Sequence, residues 1–294
     1  MQVKGTKTAF IGTGVMGASM AAHMLKAGAA LTIYTRTRAK AEALLAAGAK
    51  WAASPAEAAK DAEIVFTMVG YPKDVEEVYF GPGGIIKSAA KGCLLVDFTT
   101  SEPALAARIA SEAETAGLLS LDAPVSGGDS GAKNATLTIM VGGNPKAFDM
   151  AKPFFDVCGK NAILQGGPGA GQHTKMSNQI AVVASLIGTV EALLYAEKAG
   201  LDPYRVLDSI GGGAAQSWQL TAQGPKMLSG DFEPGFYSKH FLKDLHIALD
   251  SAKSMGLKTP MLAIAEQMFE KMTLEGFAEK GSQALYLLYK EGKI

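Results

Sequence analysis

Residues 8–17, Thr8-Ala9-Phe10-Ile11-Gly12-Thr13-Gly14-Val15-Met16-Gly17, decide the fold. A short β-type apolar run, Ala9 to Ile11, enters a G-x-G-x-x-G turn, and Ala21, Ala22 and Leu25 continue the helix that the turn opens. Each glycine then has a physical reason. Gly12 permits the tight turn, Gly14 lets the backbone approach a pyrophosphate, and Gly17 permits close helix–strand packing, while the free amides of the helix N-terminus face the anion. The stretch predicts a dinucleotide cradle formed by Gly12, Thr13, Gly14, Val15, Met16 and Gly17. A merely structural glycine-rich turn is the plainer alternative, and the strand, helix and second strand in sequence argue against it.

The same rhythm continues outward. Apolar runs at Leu31 to Tyr34, Ile64 to Met68, Leu94 to Phe98, Leu119 to Leu121 and Leu137 to Val141 alternate with helical stretches at 16–26, 38–47, 73–79, 102–116 and 145–155. Such alternation predicts parallel strands joined by right-handed crossovers. After Gly166-Gly167-Pro168-Gly169 the pattern becomes almost wholly helical, beginning with a long helix from Gln172 to Ala199 that Gly200 closes. Further helices are expected at 202–210, 217–228, 238–255, 260–274 and 281–289. The expected architecture is an α/β Rossmann N-terminal domain with a parallel doubly wound sheet, residues 1–167, and an all-α C-terminal domain, residues 168–294, joined by that helix.

Composition narrows the function classes. The 294 residues carry 28 Lys+Arg and 28 Asp+Glu, so no global field draws the chain to nucleic acid or an anionic membrane. Cys93 and Cys158 lie far apart without the repeated C-x-x-C spacing of zinc sites, which suggests neither a disulfide framework nor a metal. The polar stretch Gln2 to Lys7 does not read as a signal peptide, and the apolar stretch Ile180 to Ala196 is short and contains Ser185 and Glu191. A cytoplasmic enzyme with a small-molecule substrate is the expectation.

Three further motifs carry chemistry. The second strand ends Tyr34-Thr35-Arg36-Thr37-Arg38, without the carboxylate that usually bonds the ribose 2′-hydroxyl of NAD. Arg36, with Thr35 and Thr37, instead offers a cationic fork and hydroxyls to a 2′-phosphate, which predicts NADP over NAD. Asp122-Ala123-Pro124-Val125-Ser126-Gly127-Gly128 ends a strand where such sheets bind ligands, and the Ser126 hydroxyl with the Gly127 and Gly128 amides could capture a carboxylate. Taken alone, Ser-Gly-Gly is a common loop. Lys175 and Asn178 project from one face of the long helix near its start, where helix amides and partial burial would lower the lysine pKa and suit it to proton transfer.

Together, and in this order along the whole chain, these motifs and Lys243-Asp244-Leu245 resemble the β-hydroxyacid dehydrogenase family, which includes 3-hydroxyisobutyrate dehydrogenase, tartronate semialdehyde reductase and the glyoxylate/succinic semialdehyde reductases. The resemblance implies that Lys175 is the catalytic acid/base and that Asn178 assists it. It also implies that Ser126, Gly127 and Gly128 hold the substrate carboxylate and that Lys243 reaches a cleft between cofactor and substrate. Met68 and Val69 after the third strand and Thr99 and Thr100 after the fourth should line the nicotinamide-ribose side, with Thr100 ahead of Thr99 as the direct contact. Two departures stand out: Val69-Gly70-Tyr71-Pro72 replaces the Leu-Pro-Asn of many relatives, and their paired asparagines become Asn178-Gln179.

Histidine is the usual alternative proton carrier in dehydrogenases. His23 and His246 read as structural, whereas His173 and His240 flank the expected cleft; lysine remains the candidate. Trp218 and Phe236 could shape the pocket, although core packing accounts for them as well. The activity expected is NADPH-dependent reduction of a short semialdehyde or glyoxylate to the hydroxy acid. An NAD-dependent 3-hydroxyisobutyrate-type dehydrogenase working oxidatively is one alternative, and a non-catalytic NADPH-binding protein another. The apolar helical domain, together with the resemblance, implies a homodimer or homotetramer.

Overall fold

The computed structural model describes residues 1–294, which form two compact units, Met1–Lys175 and Met176–Ile294. The division falls after Lys175 rather than in the glycine cluster at 166–169, because the first turns of the long helix are bonded into the sheet unit. Gly169 and Gln172 donate their N–H groups to the Asp122 carboxylate at 2.8 Å each.

The first unit contains a nine-stranded sheet. Its strands are β1 Lys7–Ile11, β2 Ala30–Tyr34, β3 Lys50–Trp51, β4 Ile64–Thr67, β5 Leu94–Asp97, β6 Leu119–Asp122, β7 Val125–Ser126, β8 Leu137–Gly143 and β9 Gly159–Gly166. They lie in the order β3-β2-β1-β4-β5-β6-β8-β7, with β9 also paired to β8. From β3 to β6 every pair is parallel. The all-parallel expectation fails beyond that point, where β8 runs antiparallel to β6 and β7 and parallel to β9. The reversal follows from the ten-residue connection between β7 and β8, residues 127–136, which holds only the Gly128–Lys133 helix and so turns the chain back on itself. A parallel crossover needs a dozen or more residues and usually a longer helix.

Burial explains the assignments. Strands β4 and β5 are buried along their whole length, as strands covered on both faces must be. One side packs Phe10, Phe66 and Phe98 in a stacked row against Phe154 and Phe155 of the Pro145–Cys158 helix. The other side packs Ile11, Val65 and Leu95 against Val75, Tyr79 and Ile109. Sequence order reverses between β1 and β4, and a doubly wound sheet binds its ligand in the crevice outside the strand ends at such a point.

The second unit is helical. The Ala170–Lys198 helix continues into it and contributes Val183, Leu186, Val190 and Leu193 to a core shared with Phe241, Leu245, Leu262, Phe269 and Leu285. That helix is long and apolar enough by length and composition to cross a membrane, and 39% of its most apolar stretch is buried within the fold. Two helices, Ser238–Ser254 and Pro260–Leu274, pack side by side through a Phe241–Phe269 edge-to-face contact. The helix expected over 217–228 is present, with a π-helical stretch, Gln219–Gln223, running into Gly224–Ser229, and with Gln219 and Gln223 buried.

Candidate active site

The fingerprint turn sits where the strand-order switch demands. The Met68 amide bonds the Ile11 carbonyl at 2.9 Å and draws the β4 exit against the β1 exit. A Cβ on Gly12 would lie 2.2 Å from the Met68 carbonyl oxygen, and one on Gly17 would lie 2.0 Å from the Gly12 oxygen. Both positions are therefore closed to any side chain by the protein itself. Gly14 differs: nothing lies within 4 Å of its Cβ position, and it and Val15 face outward at the uncapped start of the Val15–Lys26 helix. Beside it the Thr13 hydroxyl is buried without a hydrogen-bond partner. An open cradle, uncapped helix amides and an orphaned hydroxyl are features that fit a dinucleotide pyrophosphate.

Thr35 is half-buried and Arg36 and Thr37 are exposed after β2. The Arg36 guanidinium is anchored by a 3.0 Å bond from Nη1 to Asp74, a carboxylate only 9% exposed, while 73% of the arginine side chain remains in solvent. The other Asp74 oxygen accepts the Tyr71 amide. One carboxylate thus ties the turn after β2 to the Val69-Gly70-Tyr71-Pro72 loop. Arg38 stacks over Trp51 at 5.2 Å instead of joining Arg36.

Met68, Val69 and Thr100 are half-buried at the exits of β4 and β5. Thr99, which sequence reasoning placed second to Thr100, is buried and holds the loop: its hydroxyl accepts the Val69 amide at 3.0 Å, and its own amide bonds Asp97 at 3.0 Å. Ser126 is half-buried, and Gly127 and Gly128 adopt φ of +131° and +63°, conformations that L side chains rarely take. The Gly128–Lys133 helix after them is tied to the fingerprint helix by His23, whose Nε2–H donates to the carbonyls of Ala132 and Lys133 at 2.9 and 3.1 Å. His23 is thus structural, as its place within the first helix suggested.

Lys175 is the last residue of the first unit and is 6% exposed. Asn178 follows one helical turn later, in the second unit, and its amide donates to Gln179 at 2.8 Å. Gln179 donates to Asp244, and Lys243 Nζ lies 3.0 Å from the other Asp244 oxygen as a charge contact outside hydrogen-bond alignment. Asn178, Gln179, Asp244 and Lys243 therefore form one connected polar group within the second unit. His173 is exposed. His240 is half-buried; burial, with help from Lys243 and Lys239, pushes its pKa below the usual range. His246 pairs with Glu266 and Glu270 on the helix surface. Trp218 is 60% exposed, whereas Phe236 packs on Phe241.

Sequence reasoning missed Asp97, Asp122 and Gln172. Gln172 is fully buried; its amide donates to the Thr99 carbonyl at 2.7 Å, and its oxygen accepts the Ser101 amide at 2.9 Å. The available signal was a carboxylate closing each of two apolar strands, since an unpaired acid is rarely left at a buried strand end.

Residues 7–167 match the family described as the NAD binding domain of 6-phosphogluconate dehydrogenase. Residues 169–289 match the family described as NAD-binding of NADP-dependent 3-hydroxyisobutyrate dehydrogenase. An uncharacterised oxidoreductase of Bacillus subtilis, YkwC, is 52% identical over 95% of this chain and 97% of its own length. The 2-hydroxy-3-oxopropionate reductase of Escherichia coli is 40% identical over 95% of both chains. Among solved structures, a Mycobacterium tuberculosis 3-hydroxyisobutyrate dehydrogenase with L-serine superposes with a TM-score of 0.90 at 30% identity, covering 97% of this chain and 99% of that one.

Proposed function

The chain belongs to the β-hydroxyacid dehydrogenase family, and we propose that within it this protein is an NADPH-dependent reductase of a short semialdehyde or of glyoxylate. One observation carries the cofactor choice: β2 is followed by Thr35-Arg36-Thr37 without a carboxylate among them, and the anchored Arg36 leaves most of its side chain in solvent. A planar fork presented in this way suits a 2′-phosphate. The relative named for 2-hydroxy-3-oxopropionate, an aldehyde one carbon removed from a carboxylate, supports the substrate class.

In this reading bound NADPH supplies the hydride. The chain's own residues do the rest. Lys175 gives a proton from Nζ to the carbonyl oxygen as it becomes an alkoxide, and takes it back in the oxidative direction. The Ser126 hydroxyl and the Gly127 and Gly128 amides bind the carboxylate, and Asn178 orients the carbonyl, so their contribution is geometric. Lys243, its charge balanced by Asp244, is assigned to substrate and cofactor binding. The protein works as a homodimer or homotetramer through its helical unit, where Tyr195 and Leu274 are 76% and 83% exposed.

A second reading, NAD-dependent oxidation of a 3-hydroxy acid, is favoured by the Asp74 carboxylate, which opposes a phosphate beside Arg36. The L-serine in the mycobacterial structure is a 3-hydroxy acid of that kind. Initial rates of NADPH and NADH oxidation against glyoxylate and succinic, tartronate and methylmalonate semialdehydes separate the two. Turnover with NADPH strongly preferred is the expected result. Absence of turnover with all four, in a protein that binds NADPH, would overturn it in favour of the oxidative reading.

A further inference from the structure

Asp97 and Asp122 close neighbouring parallel strands and stand directly opposite each other in register. Thr67 is the next member of the same row on β4. Both carboxylates are buried, at 4% and 6% exposure, and both line a cavity of about 10 Å³ completed by Ala106, Ile109, Ser120 and Pro168. That volume admits one water molecule. No lysine or arginine lines it. Two like charges at such a site cannot both ionise freely, because each is desolvated and each repels the other.

The two carboxylates also stand at the ends of one chain of hydrogen bonds. Asp97 accepts the Thr99 amide, the Thr99 carbonyl accepts the Gln172 side chain, and the Gln172 amide donates to Asp122. Thr99 fixes Val69 on the expected nicotinamide side, and Gln172 and Gly169 fix the first turn of the helix that bears Lys175. We propose that Asp97 and Asp122 are positioning residues that share one proton across this cavity, and so hold the start of the Lys175 helix in register with the nicotinamide-side loops. The proposal rests on the reading of Lys175 as proton donor for its catalytic consequence, but not for its titration.

The groups facing the pair support the assignment of the proton to Asp97. Asp122 is stabilised as an anion by the backbone N–H groups of Gly169 and Gln172, although burial still raises its pKa. Asp97 is pushed up to about 6 by burial, against the bonds from Thr67 and Thr99. Tyr79 donates to Thr67, which in turn donates to Asp97, and Tyr79 is raised well above its usual range by burial. Cys93 is pushed up to about 12 by burial, so neither group titrates in the same window. A folded-state value above the ordinary 3.8 means that the proton stabilises the fold fully below about pH 4, and that this stabilisation is lost as pH rises through about 6.

Chemical denaturation of the full chain between pH 4 and 8, for wild type and Asp97→Asn, tests the idea. Both bonds that Asp97 accepts end on Oδ1, so asparagine retains them while removing the titration. The wild-type unfolding constant should rise across that interval by up to about a hundredfold relative to the variant, the upper bound set by a shift from 3.8 to about 6. Equal pH slopes in the two proteins would overturn the proposal. If the variant does not fold, ¹³C NMR titration of the wild-type Asp97 carboxyl decides: a midpoint above about 5 supports it and one near 4 refutes it. For positioning, Asp97→Leu should lower kcat and raise KM for the nicotinamide cofactor, with Asp97→Asn restoring both at pH 6; failure of that rescue would refute the positioning role. The titration is measurable even if Lys175 proves not to be the proton donor.

Discussion

Replacing Gln172 with leucine removes two buried bonds at once and keeps most of the volume. The Ser101 amide and the Thr99 carbonyl, now bonded at 2.9 and 2.7 Å, would be left without partners away from water. An orphaned buried group costs about 1–3 kcal/mol, so the pair costs roughly 2–6 kcal/mol. Burying the leucine side chain returns about 1.5–3 kcal/mol. A net loss of about 2 kcal/mol from the first unit is expected. Trp51 lies in that unit and Trp218 in the other, so Trp218→Phe leaves Trp51 as the sole indole and makes urea unfolding report on the sheet unit. The same variant should lose kcat more than it gains KM for the cofactor, because the bond it breaks orients the helix beneath Lys175. A loss of stability below about 0.5 kcal/mol would show that water replaces the amide, and would refute the claim that Gln172 locks this helix start.

Other outcomes follow from the same geometry. Arg36→Ala should raise KM for NADPH by about 10-fold or more, the worth of a charge-assisted bond, and leave KM for NADH within about twofold, as steady-state kinetics with both cofactors would show. Gly12→Ala places a methyl group 2.2 Å from the Met68 oxygen at a φ of +98°, and should lower the thermal midpoint as well as abolish cofactor binding measured by calorimetry. Lys175→Ala should bind NADPH normally yet lose at least about a hundredfold in kcat; wild-type turnover in that variant would remove the lysine from the mechanism. Lys243→Met leaves the 2%-exposed side chain of Asp244 without its counter-charge and should destabilise the helical unit by about 3 kcal/mol, read from Trp218 fluorescence in a Trp51→Phe background.

The sequence made the parallel half of the sheet legible because each strand from β1 to β6, apart from β3, carries a continuous or near-continuous apolar run. Strand β9, Gly-Lys-Asn-Ala-Ile-Leu-Gln-Gly, was invisible for the opposite reason: it is mostly exposed, and only Ala162 and Leu164 pack against the core. Strand β3 is two residues long and carries too little pattern to register. The antiparallel turn of β8 is a property of connection length that apolar periodicity does not encode. Within the site, glycines and the Lys175–Asn178 spacing were readable because they are local. Asp74, Asp97, Asp122 and Gln172 were not, since each acts through partners 30 or more residues away, apart from the Asp74 bond to Tyr71 and the Asp97 bond to Thr99.

The three fingerprint glycines answer to different selective pressures. Gly12 and Gly17 are enforced by the fold, since any side chain there strikes backbone, and a mutant loses stability together with its activity. Gly14 has ordinary negative φ and open space around it, so alanine is compatible with the folded chain and intrudes only on a bound pyrophosphate. A lineage released from its metabolic duty could accept that one change at little cost in stability. It would then persist as a soluble, well-folded descendant that no longer turns over, and the identity of the middle glycine is where such a loss would first be written.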